Sequence, residues 1–324
     1  MPDKPRNIGA SVRARLLNLA QKNGTDFQLV LTRYVLERLL YRLGVSAYRE
    51  KFVLKGAMIY ALWVKDQFRN TRDLDLLAGH SQSETELVAA FREICSAPVP
   101  DDGVAFDIEK LTGVPIRAAM TYGGVQLTTT ATVGGARVPV RIDIGFGDAV
   151  TPPPALVEYP VLLDHPPPHL MGYPRETVIA EKFEAMVSLG LTNSRMKDFH
   201  DVAVLAESFA FEGAVLADAI AATFRRRGTP VPSEAPLALT DAFIKRPETV
   251  ALWKAFVVRE AIAEAFADLN AVASLLRSFL LPPTTALTNG VQFGQPWKPG
   301  GPWREERKIR GANNLACCPN TVGE

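Results

Sequence analysis

Two runs of three prolines, at 152–154 and 166–168, split this 324-residue chain into a stretch that reads as mixed strand and helix and a stretch that reads as helix almost throughout. Proline fixes φ and has no N–H to donate, so the segment between the triplets is not helical and is expected to run extended across the surface, marking a domain boundary. Before it, residues 124–133 and 137–144 alternate apolar and polar side chains and meet at Gly134-Gly135, the pattern of two strands joined as a hairpin. Residues 52–58 form a short apolar run that breaks at Gly56 and leads into an apolar helix from Met58 to about Val64, and 106–111 reads as a further strand. Ser83 and Glu86 have capping-box spacing ahead of Leu87, Ala90, Phe91 and Ile94. Amphipathic helices are expected over 8–19 and 26–43, the second ended by Gly44, and a helical pattern over 175–190, 196–209, 213–227, 236–246 and 248–281, the last either continuous or broken. The implied division is 1–50, N-terminal helices packing on the core; 51–150, the core; 151–174, the proline-rich connection; 175–282, a helical C-terminal domain; and 283–324, an irregular tail draped over the surface.

The chemistry concentrates at Thr71-Arg72-Asp73-Leu74-Asp75. Side chains alternate faces along a strand, so Asp73 and Asp75 point the same way, and two like charges on one face call for a cation. Magnesium suits them, because it takes one or two protein carboxylates and leaves its other positions to water and phosphate oxygens. Asp143 is the charged exception in the β-branched run 138–148, and burying a lone carboxylate there is costly unless it is paired or metal-bound. It is therefore a third candidate ligand. At Lys55-Gly56-Ala57 a glycine turn before a helix offers backbone N–H groups to a phosphate. Taken alone, an Asp-x-Asp is weak evidence and is more often a solvated strand end or loop.

Composition excludes more than it selects. A net charge of +1 argues against a wholly basic nucleic-acid binder, and 47% hydrophobic with 22% charged residues is ordinary globular usage. The first fifty residues nevertheless hold Arg6, Arg13, Arg15, Lys22, Arg33, Arg38, Arg42 and Arg49 against Asp3, Asp26, Glu37 and Glu50. Such a face either attracts phosphate backbones or is a solvated helix surface. Three cysteines at Cys95, Cys317 and Cys318 give neither a disulfide framework nor a zinc spacing. No signal peptide and no apolar run approaching a membrane span is evident, so a cytoplasmic protein is expected.

As a set, the glycine turn, the Asp-x-Asp and the later Asp resemble a polymerase-β-like nucleotidyltransferase core. Further on, Ile179-Ala180-Glu181-Lys182 and Arg195-Met196-Lys197-Asp198-Phe199-His200-Asp201 resemble two helical motifs of the AbiEii/AbiGii nucleotidyltransferase toxins, the group that includes the MenT toxins. The resemblance runs from about Phe52 to Leu205 with the motifs in order. It implies an α+β fold, a mixed sheet with helices followed by a helical C-terminal domain, and a magnesium-dependent enzyme (manganese serving as a substitute) that takes a nucleoside triphosphate. It further implies Asp73, Asp75 and Asp143 as metal ligands, with Asp143 completing a second metal site or acting as base. Lys182 would reach from its helix to the triphosphate, and Asp198 would orient Lys182 or the acceptor hydroxyl. Asp201 reads as a structural partner of Arg195 or Lys197, His200 as structural, and Lys55 as a phosphate contact or an anchored lysine. Ala57 stands where the family commonly has Gly or Ser, and Thr71 where it often has Ser, the residue at which some relatives are silenced by a partner antitoxin. The acceptor implied is RNA, in particular the tRNA 3′ end, gripped by the N-terminal helices and Arg225-Arg226-Arg227, in a toxin neutralised by a cognate antitoxin. Transfer to a small molecule or a protein hydroxyl, and a catalytically dead nucleotide- or RNA-binding regulator, are the competing expectations.

Overall fold

Residues 7–64, 71–116 and 123–304 are described by a computed structural model; residues 1–6, 65–70 with the charged segment 65–69, 117–122 and the tail beyond 304 lie outside the described residues. The alternation read from the sequence produces β5 (Gly124–Val133) and β6 (Ala136–Phe146), whose even burial rhythm puts Val125, Leu127, Ala131, Val138, Val140, Ile142 and Ile144 inside. Gly134 and Gly135 turn the chain between them with φ of +52° and +82°, which side chains with a Cβ resist. The remaining strands are β1 (Phe52–Lys55), β2 (Asp73–Ala78), β3 (Val104–Phe106), β4 (Thr112–Ile116), β7 (Ala155–Glu158) and β8 (His169–Gly172). They assemble in the order β3-β5-β6-β2-β1-β8-β7, with β4 also on β5. Pairing is antiparallel except for β2 with β6 and β1 with β8, so the sheet is mixed.

Two expectations fail at this level. Residues 106–111 are not one strand: β3 stops at Phe106, Asp107 caps a 3-10 turn over Ile108–Lys110, and β4 starts at Thr112. The Asp107 side chain accepts from the Lys110 N–H, a local bond that competes with the ladder. The proline-rich connection is extended and not helical, as expected, but it is part of the sheet and not a link lying across its surface. Its prolines flank β7 and β8, an antiparallel pair added to the sheet beside β1, with Tyr159 and Leu170 fully buried.

Two N-terminal helices cover the sheet. Helix α1 (Ile8–Asn23) is capped by the Asn7 side chain, and α2 (Phe27–Val45) by that of Asp26. Gly44 does not end α2; it lies inside it, where a Cβ would come within 2.6 Å of the His169 carbonyl, so glycine lets this helix lie against β8. The expected capping box opens α3 (Glu84–Cys95), whose Phe91 ring meets Phe52 edge-on at 5.3 Å. The Met58–Val64 helix is a 3-10 turn over Met58–Leu62.

From Arg175 the chain is helical: α4 (Arg175–Leu189), α5 (Met196–Ser208), α6 (Gly213–Arg227), α7 (Asp241–Ile244), α8 (Pro247–Arg259) and α9 (Leu269–Thr288). The stretch 236–246 is broken into a 3-10 turn, Leu237–Leu239, and the short α7. The tail is not irregular from 283. Helix α9 continues through Pro282 and Pro283, because the Phe279 carbonyl that Pro283 cannot serve accepts the Trp303 indole N–H at 3.0 Å. Farther along, β10 (Pro296–Trp297) pairs with β9 (Phe211–Glu212), and the Trp297 indole is buried with its N–H on the Ala206 carbonyl at 2.7 Å. Phe279, Trp297 and Trp303 pack in a triangle, with ring centroids 4.8, 5.6 and 5.2 Å apart, so this segment is held by aromatic burial up to residue 304.

Candidate active site

Strand register gathers the carboxylates. Asp75 on β2 stands opposite Asp143 on the parallel β6, and Asp73 lies two residues before Asp75 on the same face. On its other side Asp75 is opposite Lys55 of β1. Burial drives the Asp75 carboxyl up to about 6; Lys55 opposes this, and Asp143 and Asp73 add to it. Gln126 donates to Asp143 Oδ1 at 2.8 Å, and Arg141 reaches Asp73 at 3.7 Å. Gly56 has φ of +69°, and a Cβ on it would lie 1.9 Å from Asp75 Oδ2. The glycine turn therefore makes room for the carboxylate. Thr71 precedes β2 and donates its hydroxyl to the Asp73 carbonyl at 3.1 Å, on the wall of the same cavity. Among the described residues, no three acidic or histidine side chains form a ready metal cage.

The facing wall comes from the helices. Lys182 does not extend from its helix into solvent: its Nζ lies 2.7 Å from Asp198 Oδ1 and 2.8 Å from Asp201 Oδ2. Arg195 completes the cluster, 2.6 Å from Asp198 Oδ2. Asp201, expected on Arg195 or Lys197, is thus drawn to Lys182, while the Arg195 guanidinium goes to Asp198. His200 packs edge-on against Phe256 and Phe266, as a structural residue does. Between the two walls is a cavity of about 820 Å³ lined by Lys55, Gly56, Ala57, Thr71, Asp73, Asp75, Asp143 and Lys182. Asp198 and Asp201 do not line it; Asp198 is fully buried beneath Lys182.

Sequence reasoning missed a second set of charges at the cavity floor. Lys55 is anchored: its Nζ is 2.5 Å from Asp148 Oδ2 and 3.6 Å from Glu181. Burial pulls its amine down, yet Glu181 and Asp148 outweigh that and raise it overall. Asp148 is in turn 3.5 Å from Arg227, which also meets Glu181 at 3.5 Å and Glu184 at 2.8 Å. The only sequence signal was that Glu181 adjoins Lys182 and Asp148 closes the β6 run. Arg227 is accordingly not free to grip RNA, and Arg226 donates to the Gly147 carbonyl. Two arginines of the N-terminal helices are equally internal: Arg42 forms a two-pronged bond to Asp102, and Arg38 pairs with Glu37. Further cations that line the cavity are Arg72, Arg195, Lys197 and Arg259.

A family model described as the AbiEii nucleotidyl transferase toxin of type IV toxin–antitoxin systems matches residues 38–270, from the middle of α2 to the start of α9. The chain belongs to this family. It is accordingly a nucleotidyltransferase of the toxin–antitoxin class, with the mixed sheet and trailing helices of that fold, and AbiEii membership implies an antitoxin partner. Among solved structures, it is similar to a candidate nucleotidyltransferase of H. pylori, with 16% identity, TM-score 0.49 and coverage of 82% of this chain and 99% of the other. JHP933 from Helicobacter pylori is similar at 16% identity and TM-score 0.48, covering 81% of this chain and 94% of that one. No curated protein matches significantly. Among the described residues, no helix is long and apolar enough to cross a membrane.

Proposed function

We propose that this AbiEii chain transfers a nucleoside monophosphate from a nucleoside triphosphate to a terminal hydroxyl of RNA, of the tRNA 3′-end class, and so stops translation in the cytoplasm. The observation that carries the reading is one cavity with Asp73, Asp75 and Asp143 on one wall and Lys182, backed by Asp198, on the other. Magnesium or manganese, held by Asp73 and Asp75 with Asp143 beside them, would neutralise the phosphates and make the α-phosphorus more electrophilic. A crowded acidic face that retains protons up to about pH 6 at Asp75 is chemically suited to such an ion. The acceptor oxygen bonds to the α-phosphorus while the bond to the bridging oxygen breaks, and pyrophosphate leaves. Asp143, one oxygen of which is held by Gln126, takes the hydroxyl proton on its other oxygen. Lys182 turns its ammonium from Asp201 to the leaving phosphates, a point charge suited to them. Cavity-lining cations (Arg72, Arg195, Lys197, Arg259) meet the RNA backbone.

Thr71 is the proposed point of control, since a phosphate there would bring roughly −2 charge beside the carboxylate face and repel the triphosphate. Internal use of Arg38, Arg42 and Arg227 favours a second reading, transfer to a small acceptor, because it removes three cations from any RNA track. Labelled triphosphate offered with tRNA and with tRNA whose 3′ diol has been oxidised decides between them. Label confined to the intact RNA is expected; equal labelling of both, or label only in small molecules, refutes the RNA 3′ acceptor.

A further inference from the structure

We infer that Arg227 is a positioning residue for nucleotide transfer: one guanidinium at the end of α6 fixes α4, which carries Lys182, against Lys55 and the carboxylate strands. The inference rests on the transfer reading above and adds to it a cavity-lining residue whose guanidinium is already engaged by carboxylates of the protein. One nitrogen of Arg227 holds Glu184 at 2.8 Å; the other is 3.5 Å from both Glu181, the neighbour of Lys182, and Asp148, just past β6. Asp148 hands the connection on to Lys55, which stands opposite Asp75 in the sheet. Helix, strand and strand end are thus joined through one planar fork, and a lysine cannot reproduce that span. Gly228, with φ of +67°, turns the chain sharply after Arg227, and Thr229 donates to the remaining oxygen of Glu184 at 2.6 Å.

The charge balance gives the mechanism. Two cations, Lys55 and Arg227, serve three carboxylates, Asp148, Glu181 and Glu184. Without Arg227, Lys55 is left to bridge Asp148 and Glu181 by itself and is drawn from Asp75, while α4 loses the Arg227 bridge to Asp148 and keeps the Thr177 bonds to Thr151. Lys55 and Lys182, two of the cations that line the cavity, then sit away from where the phosphates must lie, and misplacement on the scale of 1 Å costs about 10²-fold in rate.

Glu184 separates positioning from simple structural support, since it is buried behind the cavity and does not line it. Melting temperature, kcat and KM for the triphosphate are measured for the whole chain as wild type, Arg227→Gln, Arg227→Gln with Glu184→Gln, and Arg227→Lys. The double variant, which removes the stranded buried charge, is expected to melt within a few degrees of wild type and yet keep a kcat loss of about 10²-fold, larger than any change in KM. Return of both stability and kcat in the double variant shows that Arg227 only supports α6 and overturns the inference. Should the double variant fail to fold, Arg227→Lys decides: a folded protein with kcat down at least about tenfold supports positioning, and wild-type kcat overturns it. Absence of transfer by the wild type refutes the transfer reading itself and this inference with it, whereas equal transfer by wild type and double variant refutes the positioning role alone.

Discussion

Replacing Lys182 with alanine should unfold the protein more readily as well as silence it. The ammonium lies between Asp198 and Asp201, whose side chains are 1% and 4% exposed, and its own side chain is 13% exposed. Its removal leaves two buried carboxylates facing each other with one charge fewer to balance them. Breaking a buried pair in this way costs about 3–5 kcal/mol. Arg195 still holds Asp198 at 2.6 Å, so the lower end, about 3 kcal/mol, applies here. For a chain of 324 residues that is a fall in melting temperature of roughly 4–5 °C. Differential scanning calorimetry with and without a second change, Asp201→Asn, separates charge imbalance from other causes. The pair Lys182→Ala with Asp201→Asn should regain more than half of the loss, while neither variant transfers nucleotide. A melting temperature for Lys182→Ala within about 1 °C of wild type would refute the reasoning, since the ammonium would then not be holding the two carboxylates.

Gly56→Ala should lower transfer by about 10²-fold and cost about 1–2 kcal/mol in stability, because the new Cβ meets Asp75 Oδ2 and alanine disfavours φ of +69°; urea unfolding beside a rate assay checks both. Thr71→Glu should be nearly inactive while Thr71→Val keeps substantial transfer, and equal rates would show that Thr71 does not govern the cavity. Burial raises the Glu37 carboxyl from 4.5 to about 7, against the opposing pull of Arg38. The folded state therefore binds a proton that the unfolded state has lost, and stability should decline by about 3 kcal/mol as pH rises from about 4.5 to 7. Glu37→Gln should flatten that slope in pH-dependent unfolding; an unchanged slope would assign it to other groups.

Much of the site could be read locally because period-2 alternation is a property of the strand itself. It put Asp73 and Asp75 on one face, and the lone charge of Asp143 among β-branched residues marked a second strand, although only the parallel register of β2 and β6 showed that Asp75 and Asp143 face each other. What could not be read was which charge neutralises which. Lys182 reads as solvent-facing on its own helix, and only the packing of α4 on α5 reveals Asp198 and Asp201 beneath it. Arg38, Arg42 and Arg227 look like a nucleic-acid surface for the same reason: their partners Glu37, Asp102 and Glu184 emerge only in the fold. Prolines misled in both directions. The triplets border two short strands, β8 beside β1 and the edge strand β7 beside β8, and Pro282-Pro283 fail to stop α9 because a tryptophan about twenty residues on takes over a freed carbonyl.

The central claim, that the Asp73–Asp75–Asp143 face performs nucleotidyl transfer, is tested most directly by incubating the wild-type chain and Asp75→Asn with each α-labelled nucleoside triphosphate, magnesium and total RNA, while measuring label in the RNA and pyrophosphate released. Equimolar label and pyrophosphate with the wild type, and neither with a folded Asp75→Asn, is the predicted result. Wild-type levels of transfer by Asp75→Asn, or no pyrophosphate from the wild type with any triphosphate, would contradict it.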